Sequence, residues 1–257
     1  MSTNPYSAPT APVADPERSL QGNFVAGGRT VAGGRGGSWF REGWQLFKAA
    51  PALWIGIWIV MLIILLVLGL VPILGSIANA LLWPIFSAGL MLGCQAIAKG
   101  GRLEFGHLFA GFRDRLGTLA GVGGLTLLAS IAIGAVVVFA MGLGLSTLTG
   151  TARPSSPQEA MTIVLASLIM LALMLPLFMA VWFAPALVVF HERGAMEAMK
   201  ESFQGCMRNV VPFLVYGLVG LGLAIAATVP AGLGWLVLGP VVVASVYASY
   251  RDIFGGD

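Results

Sequence analysis

Six long apolar runs alternate with short polar segments along the chain. They lie near residues 52–71, 77–98, 117–147, 160–190, 210–229 and 232–250. An α-helix rises about 1.5 Å per residue, so each run is long enough to cross the roughly 30 Å hydrocarbon core of a bilayer. We therefore predict an all-α fold, a polytopic membrane bundle of six transmembrane helices arranged as three hairpins.

Five residues inside these runs are candidate kink or polar residues. Pro84, Pro176 and Pro185 are expected to bend their helices rather than end them, because neighbouring helices can satisfy the carbonyls that a proline frees. Asn79 and Gln95 are the other two. Their side chains are expected to form hydrogen bonds between helices, with contact to a ligand as the alternative.

A short two-faced segment precedes each pair of runs. In "SWFREGWQLFKAAP", residues 38–51, Phe40, Trp44 and Phe47 share one face of a helical projection and Trp39 lies at its edge. The second and third segments repeat this pattern with the apolar residues Phe105, Phe109 and Phe112, and Met199 and Phe203. The chain therefore consists of three units, each an amphipathic helix followed by a membrane hairpin.

The first and third of these segments align, "REGWQLF" at 41–47 against "KESFQGC" at 200–206. We expect all three helices to lie in the headgroup plane, with their aromatic side chains in the acyl boundary. The alternative is that these helices pack on the ends of the bundle, because that position would bury the same apolar faces.

Residues 1–37 differ from the rest in being rich in Pro, Ser, Thr and Gly. Such a composition predicts a disordered tail. The expected organisation is this cytoplasmic tail, 1–37, followed by a six-helix integral membrane domain, 38–254.

Charge gives the predicted orientation. All Lys and Arg residues except Arg153 lie before the first run, between the second and third runs, between the fourth and fifth runs, or after the last run. The positive-inside rule then places both termini in the cytoplasm. The net charge of +3 by itself could suggest nucleic acid, but the position of the basic residues on one side of the runs indicates anionic headgroups as partners, with a membrane protein as a further candidate partner.

Composition and the distribution of acidic residues limit the chemistry. Hydrophobic residues make up 58% of the chain, and every Asp and Glu lies outside the runs or at their ends. Ion-coupled transporters usually keep an ionisable group at membrane depth, so that class is disfavoured. No catalytic motif, metal site or cofactor is expected. A lipid-headgroup enzyme would need acid–base residues at the cytoplasmic rim, for which the candidates are Glu104, His107, Asp114, His191 and Glu192.

Several short stretches carry a resemblance. They are "W-x-x-F" before Pro51, "WPIFSAGL" at 83–90, "F-x-x-L-F-x-G-F" at 105–112, "FAPALVVF" at 183–190 and "A-x-x-x-S-F" at 198–203. The chain resembles uncharacterised bacterial six-span inner-membrane proteins and the membrane domain that accompanies some glycerophosphodiester phosphodiesterases. The resemblance implies a bacterial inner-membrane location and no activity.

The expected function is that of a non-enzymatic inner-membrane protein that acts on lipids or partner proteins through helix packing and its basic face. A permease for a neutral or amphiphilic small molecule is the alternative.

Overall fold

A computed structural model describes residues 24–143 and 156–255, in which all regular structure is helical. The helices are α1 (Arg35–Lys48), α2 (Pro51–Gly69), α3 (Leu74–Ala98), a 3₁₀ helix (Phe105–Phe112), α4 (Leu116–Ala140), α5 (Pro157–Trp182), α6 (Ala184–His191), α7 (Ala195–Arg208), α8 (Val210–Thr228) and α9 (Trp235–Phe254).

Six helical stretches of the described residues are long and apolar enough to cross a membrane. They are α2, α3, α4, α5 continued by α6, α8 and α9. This confirms the predicted all-α polytopic membrane bundle.

Prolines mark the starts of several helices. Pro51 and Pro157 occupy the first turns of α2 and α5, where a missing N–H costs nothing. The Ser156 hydroxyl caps α5 by accepting the Glu159 N–H at 3.2 Å. Pro84 and Pro176 lie inside α3 and α5, and near Pro185 the helix is interrupted at Phe183 but continues in α6 as one span, Pro157–His191. Helix α5 stops at Trp182, and Pro185 stands in the first turn of α6, because its ring cannot continue the preceding helix.

The second amphipathic segment is a 3₁₀ helix rather than an α-helix. A break follows it at Arg115, which has left-handed backbone geometry (φ 60°), and α4 then begins at Leu116. Gly111 explains the close seating of this helix, because a Cβ there would lie 2.1 Å from the Ile85 carbonyl oxygen of α3. Gly89 of α3 allows the same close approach, because a Cβ there would lie 2.2 Å from the His107 carbonyl oxygen.

Each short amphipathic helix packs against the second span of another hairpin. The 3₁₀ helix contacts α3 and α7 contacts α5, which is in both cases the span immediately before it in the chain. Helix α1 packs on α9, the last span, and on its partner α8. The arrangement is therefore cyclic, because α1 packs on the last span as the 3₁₀ helix and α7 pack on the spans that precede them.

Helices α1 and α7 bury equivalent positions. In α1 the buried face includes Trp39, Phe40, Gly43 and Phe47, and in α7 it includes Ala198, Met199, Ser202 and Cys206. The spacing is the same in both helices and follows the register in which "REGWQLF" aligns with "KESFQGC". The repeat seen in the sequence is therefore a repeat of the buried face.

The segment before α1 is packed against the end of the chain. The Val25 N–H donates to the Phe254 carbonyl at 2.9 Å, and the Arg29 N–H donates to the Ile253 carbonyl at 2.8 Å. The prediction of a disordered tail is therefore wrong for residues 24–37, because backbone hydrogen bonds and buried glycines hold this part in place. The rest of the predicted tail lies outside the described residues.

Burial divides the bundle into two regions. The seated region consists of α1, the 3₁₀ helix, α6, α7, residues 84–94 and residues 238–254, and it holds most of the large buried side chains. Four other segments show the opposite pattern, since most of their large apolar side chains are exposed on the surface of the bundle. We call them the bare segments: 62–77, 128–139, 161–178 and 214–235.

Candidate functional site

The four basic segments of the sequence meet in the structure. Arg115 forms an ion pair with Glu192, and Arg193 lies over the Phe24 ring at 5.2 Å. Asp252 accepts hydrogen bonds from Arg29 and Arg35. We call the surface formed by residues 24–48, 99–115, 192–208 and 251–254 the basic face.

Asp252 joins the first helix to the last. Its Oδ2 accepts from Arg35 Nε at 2.6 Å and from Trp39 Nε1 at 2.9 Å, while its main-chain oxygen accepts from Arg29 Nε at 2.6 Å. Arg35 also pairs with Glu42 at 2.8 Å. The hydrogen bond to Asp252 raises the pKa of the Arg35 guanidinium further. This group therefore acts as a fixed structural charge.

Asn209 holds the segment before α1 from the other side. Its Oδ1 accepts from the Val31 N–H at 2.8 Å, and its Nδ2 donates to the carbonyls of Arg29 and Gly205 at 2.9 and 2.8 Å. Arg208 donates to the Gly28 carbonyl. These contacts explain why so glycine-rich a segment is ordered.

Several acidic side chains of this face are engaged by arginines. Arg193 pairs with Glu197 at 2.8 Å and with Glu201 at 3.4 Å. Burial raises the pKa of Glu201, against the opposite effect of Arg193. The hydrogen bond from Arg115 lowers the pKa of the exposed Glu192.

Six basic side chains of the basic face are exposed and have no acidic partner in the described part of the chain. They are Arg41, Lys48, Lys99, Arg102, Arg113 and Lys200. The basic face therefore carries an excess of uncompensated positive charge.

Most of the predicted interfacial anchors of α1 and α7 pack inside the protein. Trp39, Phe40 and Phe47 are buried, and Phe40 stacks on Tyr216 of α8 with ring centroids 4.4 Å apart. Met199 is also buried. For these four residues the expected position in the acyl boundary is wrong, because α8, α9 and α5 cover the faces of α1 and α7.

The remaining predicted anchors reach the surface. Trp44, Phe105 and Phe109 are exposed, while Phe112 and Phe203 are half-buried. The two exposed phenylalanines belong to a ring cluster that Phe86 of α3 completes.

Four of the five candidates for acid–base chemistry are held in local structural contacts, and the fifth, Asp114, is exposed. Glu104 and His107 form a capping box at the start of the 3₁₀ helix. His191 bonds the Tyr250 hydroxyl, and Glu192 pairs with Arg115. Within the described residues, no group of three or more His, Cys, Asp or Glu side chains could hold a metal ion.

Asn79 and Pro84 lie together at a cavity of about 370 Å³ among the spans. Thr126 and Trp83 also line it, with Leu65, Ala80 and Val181. Of the other predicted intramembrane residues, Gln95 is half-buried further along α3, Pro176 is exposed on α5 and Pro185 is buried. The structure therefore brings two of the five together.

Comparison with known proteins gives one informative result. No protein-family model matches the chain, and no solved structure matches it. The chain is 29% identical over 247 residues to a probable inner membrane protein of Burkholderia thailandensis, covering 84% of this chain and 90% of the relative. Together with the six spans, this supports a polytopic inner-membrane protein; the suggested link to phosphodiesterase membrane domains has no support from the comparisons.

Sequence reasoning missed two residues that organise the basic face. Asp252 and Asn209 each follow an arginine at a helix end, where a polar residue usually indicates only a cap or a solvated end. The available signal for Asp252 was its acidic character at the end of an apolar run, in a chain whose N-terminal segment is basic.

Proposed function

We propose that this is a non-enzymatic inner-membrane protein whose basic face lies in the cytoplasm and binds anionic lipid headgroups. The observation that carries the proposal is the set of six exposed basic side chains without acidic partners. A cation near an anionic leaflet contributes about 1 kcal/mol, so the six together supply a substantial attraction. The positive-inside rule supports the orientation.

The exposed aromatic side chains fit the same proposal. Trp44, Phe105 and Phe109 lie on the same segments as the unpaired cations Arg41, Lys48 and Arg102. Aromatic rings placed next to basic groups are typical of the membrane–water interface. These three residues are therefore the proposed anchors in the acyl boundary.

Lipid retention tests the proposal. In a variant with Arg41, Lys48, Arg113 and Lys200 changed to Gln, the purified protein should retain fewer phosphatidylglycerol molecules in native mass spectrometry, with phosphatidylcholine retention unchanged. The matched control exchanges Lys and Arg at the same four positions and so keeps the charge. Equal phosphatidylglycerol retention by the neutralised and control proteins would contradict the proposal.

Topology is tested separately. Reporter fusions after Lys99 and after Gly255 should both read cytoplasmic, and a fusion near Ser155 should read periplasmic. A periplasmic signal after Gly255 would reverse the proposed orientation.

Transport of a neutral or amphiphilic small molecule is the second candidate, because the cavity at Asn79 lies among four different spans. Proteoliposomes should then show saturable flux of the transported compound. If a panel of neutral amphiphiles crosses proteoliposomes no faster than protein-free vesicles, transport is contradicted and lipid binding is the remaining proposal.

A further inference from the structure

The outer face of α1 carries one stripe of exposed side chains. Its members, which we call the α1 stripe, are Arg41, Trp44, Gln45 and Lys48. The last three follow the first by three, four and seven residues, so all four share one side of the α-helix. The opposite side of α1 is buried against α8 and α9, so the α1 stripe faces away from the bundle.

The α1 stripe is positively charged. Within residues 24–143 and 156–255, neither Arg41 nor Lys48 has an acidic partner. Glu42 is the acidic residue of α1, and it pairs instead with Arg35 at 2.8 Å. The stripe therefore presents two uncompensated cations to whatever covers it.

Trp44 lies between the two cations and is supported from below. Its ring stacks on that of Phe47, with the centroids 5.3 Å apart and 24° between the planes. Phe47 is itself buried, so one face of the indole is held in place while Trp44 remains 42% exposed. An exposed indole beside basic groups is typical of headgroup depth, where the hydrocarbon of a lipid can cover the free face of the ring.

The spacing of the two cations determines what they can hold. Arg41 and Lys48 are seven residues apart, so their Cα atoms are separated by about 10 Å along the helix axis. Because the Trp44 ring lies between them, the two side chains are placed to hold two phosphate groups rather than to close on one. Both are donors that bind phosphate oxygens through charge-assisted hydrogen bonds.

Helix α7, which repeats α1, shows what is particular to the α1 stripe. In the alignment of the two helices, Met207 stands at the position of Lys48, so α7 lacks the second cation. Gln204, the counterpart of Gln45, is covered by the segment before α1, because a Cβ on Gly27 would lie 2.7 Å from its Oε1. The outer face of α1 is open and carries two cations, whereas that of α7 is partly covered and carries one.

From these observations we infer that the α1 stripe binds a lipid whose headgroup carries two phosphates, such as cardiolipin. Arg41 holds one phosphate, Lys48 holds the other, and the hydrocarbon chains lie against the free face of Trp44. Lys48 is three residues from Pro51, where the first span begins, and basic residues next to a span are typical of anionic-lipid binding. The inference rests on the proposed function, because it assigns a particular anionic lipid to one part of the basic face.

Competition between two lipids tests the inference. The full chain is purified in detergent and incubated with cardiolipin and phosphatidylglycerol at equal phosphate concentration, and the retained lipids are measured by native mass spectrometry. The wild type should retain cardiolipin with about fivefold higher occupancy, because the second cation contributes to the binding of this lipid alone. Trp44→Ala should lower the retention of both lipids, since both have the hydrocarbon chains that the ring contacts.

Three variants separate the spacing of the cations from their number, and each changes exposed side chains. In Arg41→Gln/Lys48→Gln the preference for cardiolipin should disappear. Lys99→Gln/Arg113→Gln loses the same charge on the same face, so it should retain less of both lipids but keep the preference. Gln45→Lys/Lys48→Gln keeps the charge of the α1 stripe but places the cations one turn apart, and it should lose the preference.

Equal retention of the two lipids by the wild type would overturn the inference and leave the proposed function in place. A preference that survives in Arg41→Gln/Lys48→Gln would have the same meaning. If Lys99→Gln/Arg113→Gln lost the preference to the same extent, general charge would explain it and the inference would again be wrong. Retention of neither anionic lipid above phosphatidylcholine would contradict the proposed function itself.

Discussion

Helices α8 and α9 form one hairpin, but they differ in what surrounds them. In α9 every large side chain from Leu238 to Phe254 except Arg251 is buried or half-buried, whereas α8 exposes most of its large apolar side chains, including Leu218 and Leu221. Most of α9 belongs to the seated region and most of α8 to the bare segments. Protein contacts therefore determine the position of α9, whereas acyl chains are expected to cover much of α8.

The same contrast runs through the whole bundle. In the seated region, glycines let backbones touch and polar side chains join distant parts of the chain. In the bare segments, any apolar residue of similar length satisfies the bilayer. We therefore expect substitutions to be costly in the seated region and nearly neutral in the bare segments.

The largest effect is expected at Gly36 of α1. A Cβ there would lie 2.1 Å from the Pro212 carbonyl oxygen and 2.8 Å from the Tyr216 nitrogen, and backbone atoms cannot yield easily. Gly36→Ala should lower the free energy of unfolding by more than about 3 kcal/mol and reduce the monodisperse yield in detergent. Gly37→Ala is the matched control, because nothing lies within 4 Å of its Cβ. Similar unfolding curves for the two variants would show that α1 is not seated on α8.

A leucine pair compares the two regions directly. Leu187→Ala in α6 removes a fully buried side chain and should cost about 3 kcal/mol. Leu218→Ala in α8 removes a side chain that is 71% exposed and should cost less than about 0.5 kcal/mol in lipid. Thermal unfolding in nanodiscs measures both. A large cost at Leu218 would mean that another protein surface covers the bare segments.

Asn209→Ala tests the anchoring of residues 24–34. It removes three hydrogen bonds and should cost about 2 kcal/mol, because the Val31 N–H and the Arg29 carbonyl lose their partner. Trypsin should then cut faster after Arg29. Arg41→Ala, an exposed change on the same face, should leave this rate unchanged.

The smallest effect concerns the exposed ion pair of Arg115 and Glu192. The arginine lowers the pKa of Glu192 in the folded state, so the stabilisation is present above the ordinary Glu pKa and is lost as pH falls through the lowered value. In the Glu192→Gln variant, the loss of stability that this pair causes at low pH should be absent when the free energy of unfolding is measured against pH. In the wild type, high salt should weaken the same pH dependence. Identical pH profiles for both proteins in low salt would show that the pair contributes nothing.

The spans were predictable because length and apolarity alone decide membrane crossing. The fifth span, predicted near 210–229, is Val210–Thr228 in the structure, and the first, predicted near 52–71, is Pro51–Gly69. The apolar face of α1 was predictable in part: Phe40 and Phe47 are buried as a shared face, but Trp44, placed on that face, is exposed, and Trp39, placed at its edge, is fully buried.

What covers those faces could not be read from the sequence. Acyl chains and protein side chains both accept a stripe of aromatic residues, so the pattern at Trp39 and Phe47 fits either environment. The packing of residues 24–34 depends on Asn209 and on carbonyls at the far end of the chain, which no local pattern reveals. For the cavity, Asn79 and Pro84 were recognisable, but Thr126 and Val181 join them only through the fold.

The cyclic seating of the short helices has a consequence for biosynthesis. Helix α1 leaves the ribosome before any other described helix, but the α8–α9 hairpin on which it packs is translated last. The helices that cover its aromatic face are therefore absent while α2 to α7 are being inserted, and we expect this face to lie in the bilayer interface until then. Closure of the bundle is thus a post-insertion step, in which α1 exchanges lipid for α9 and the Asp252 contacts to Arg35 and Trp39 form.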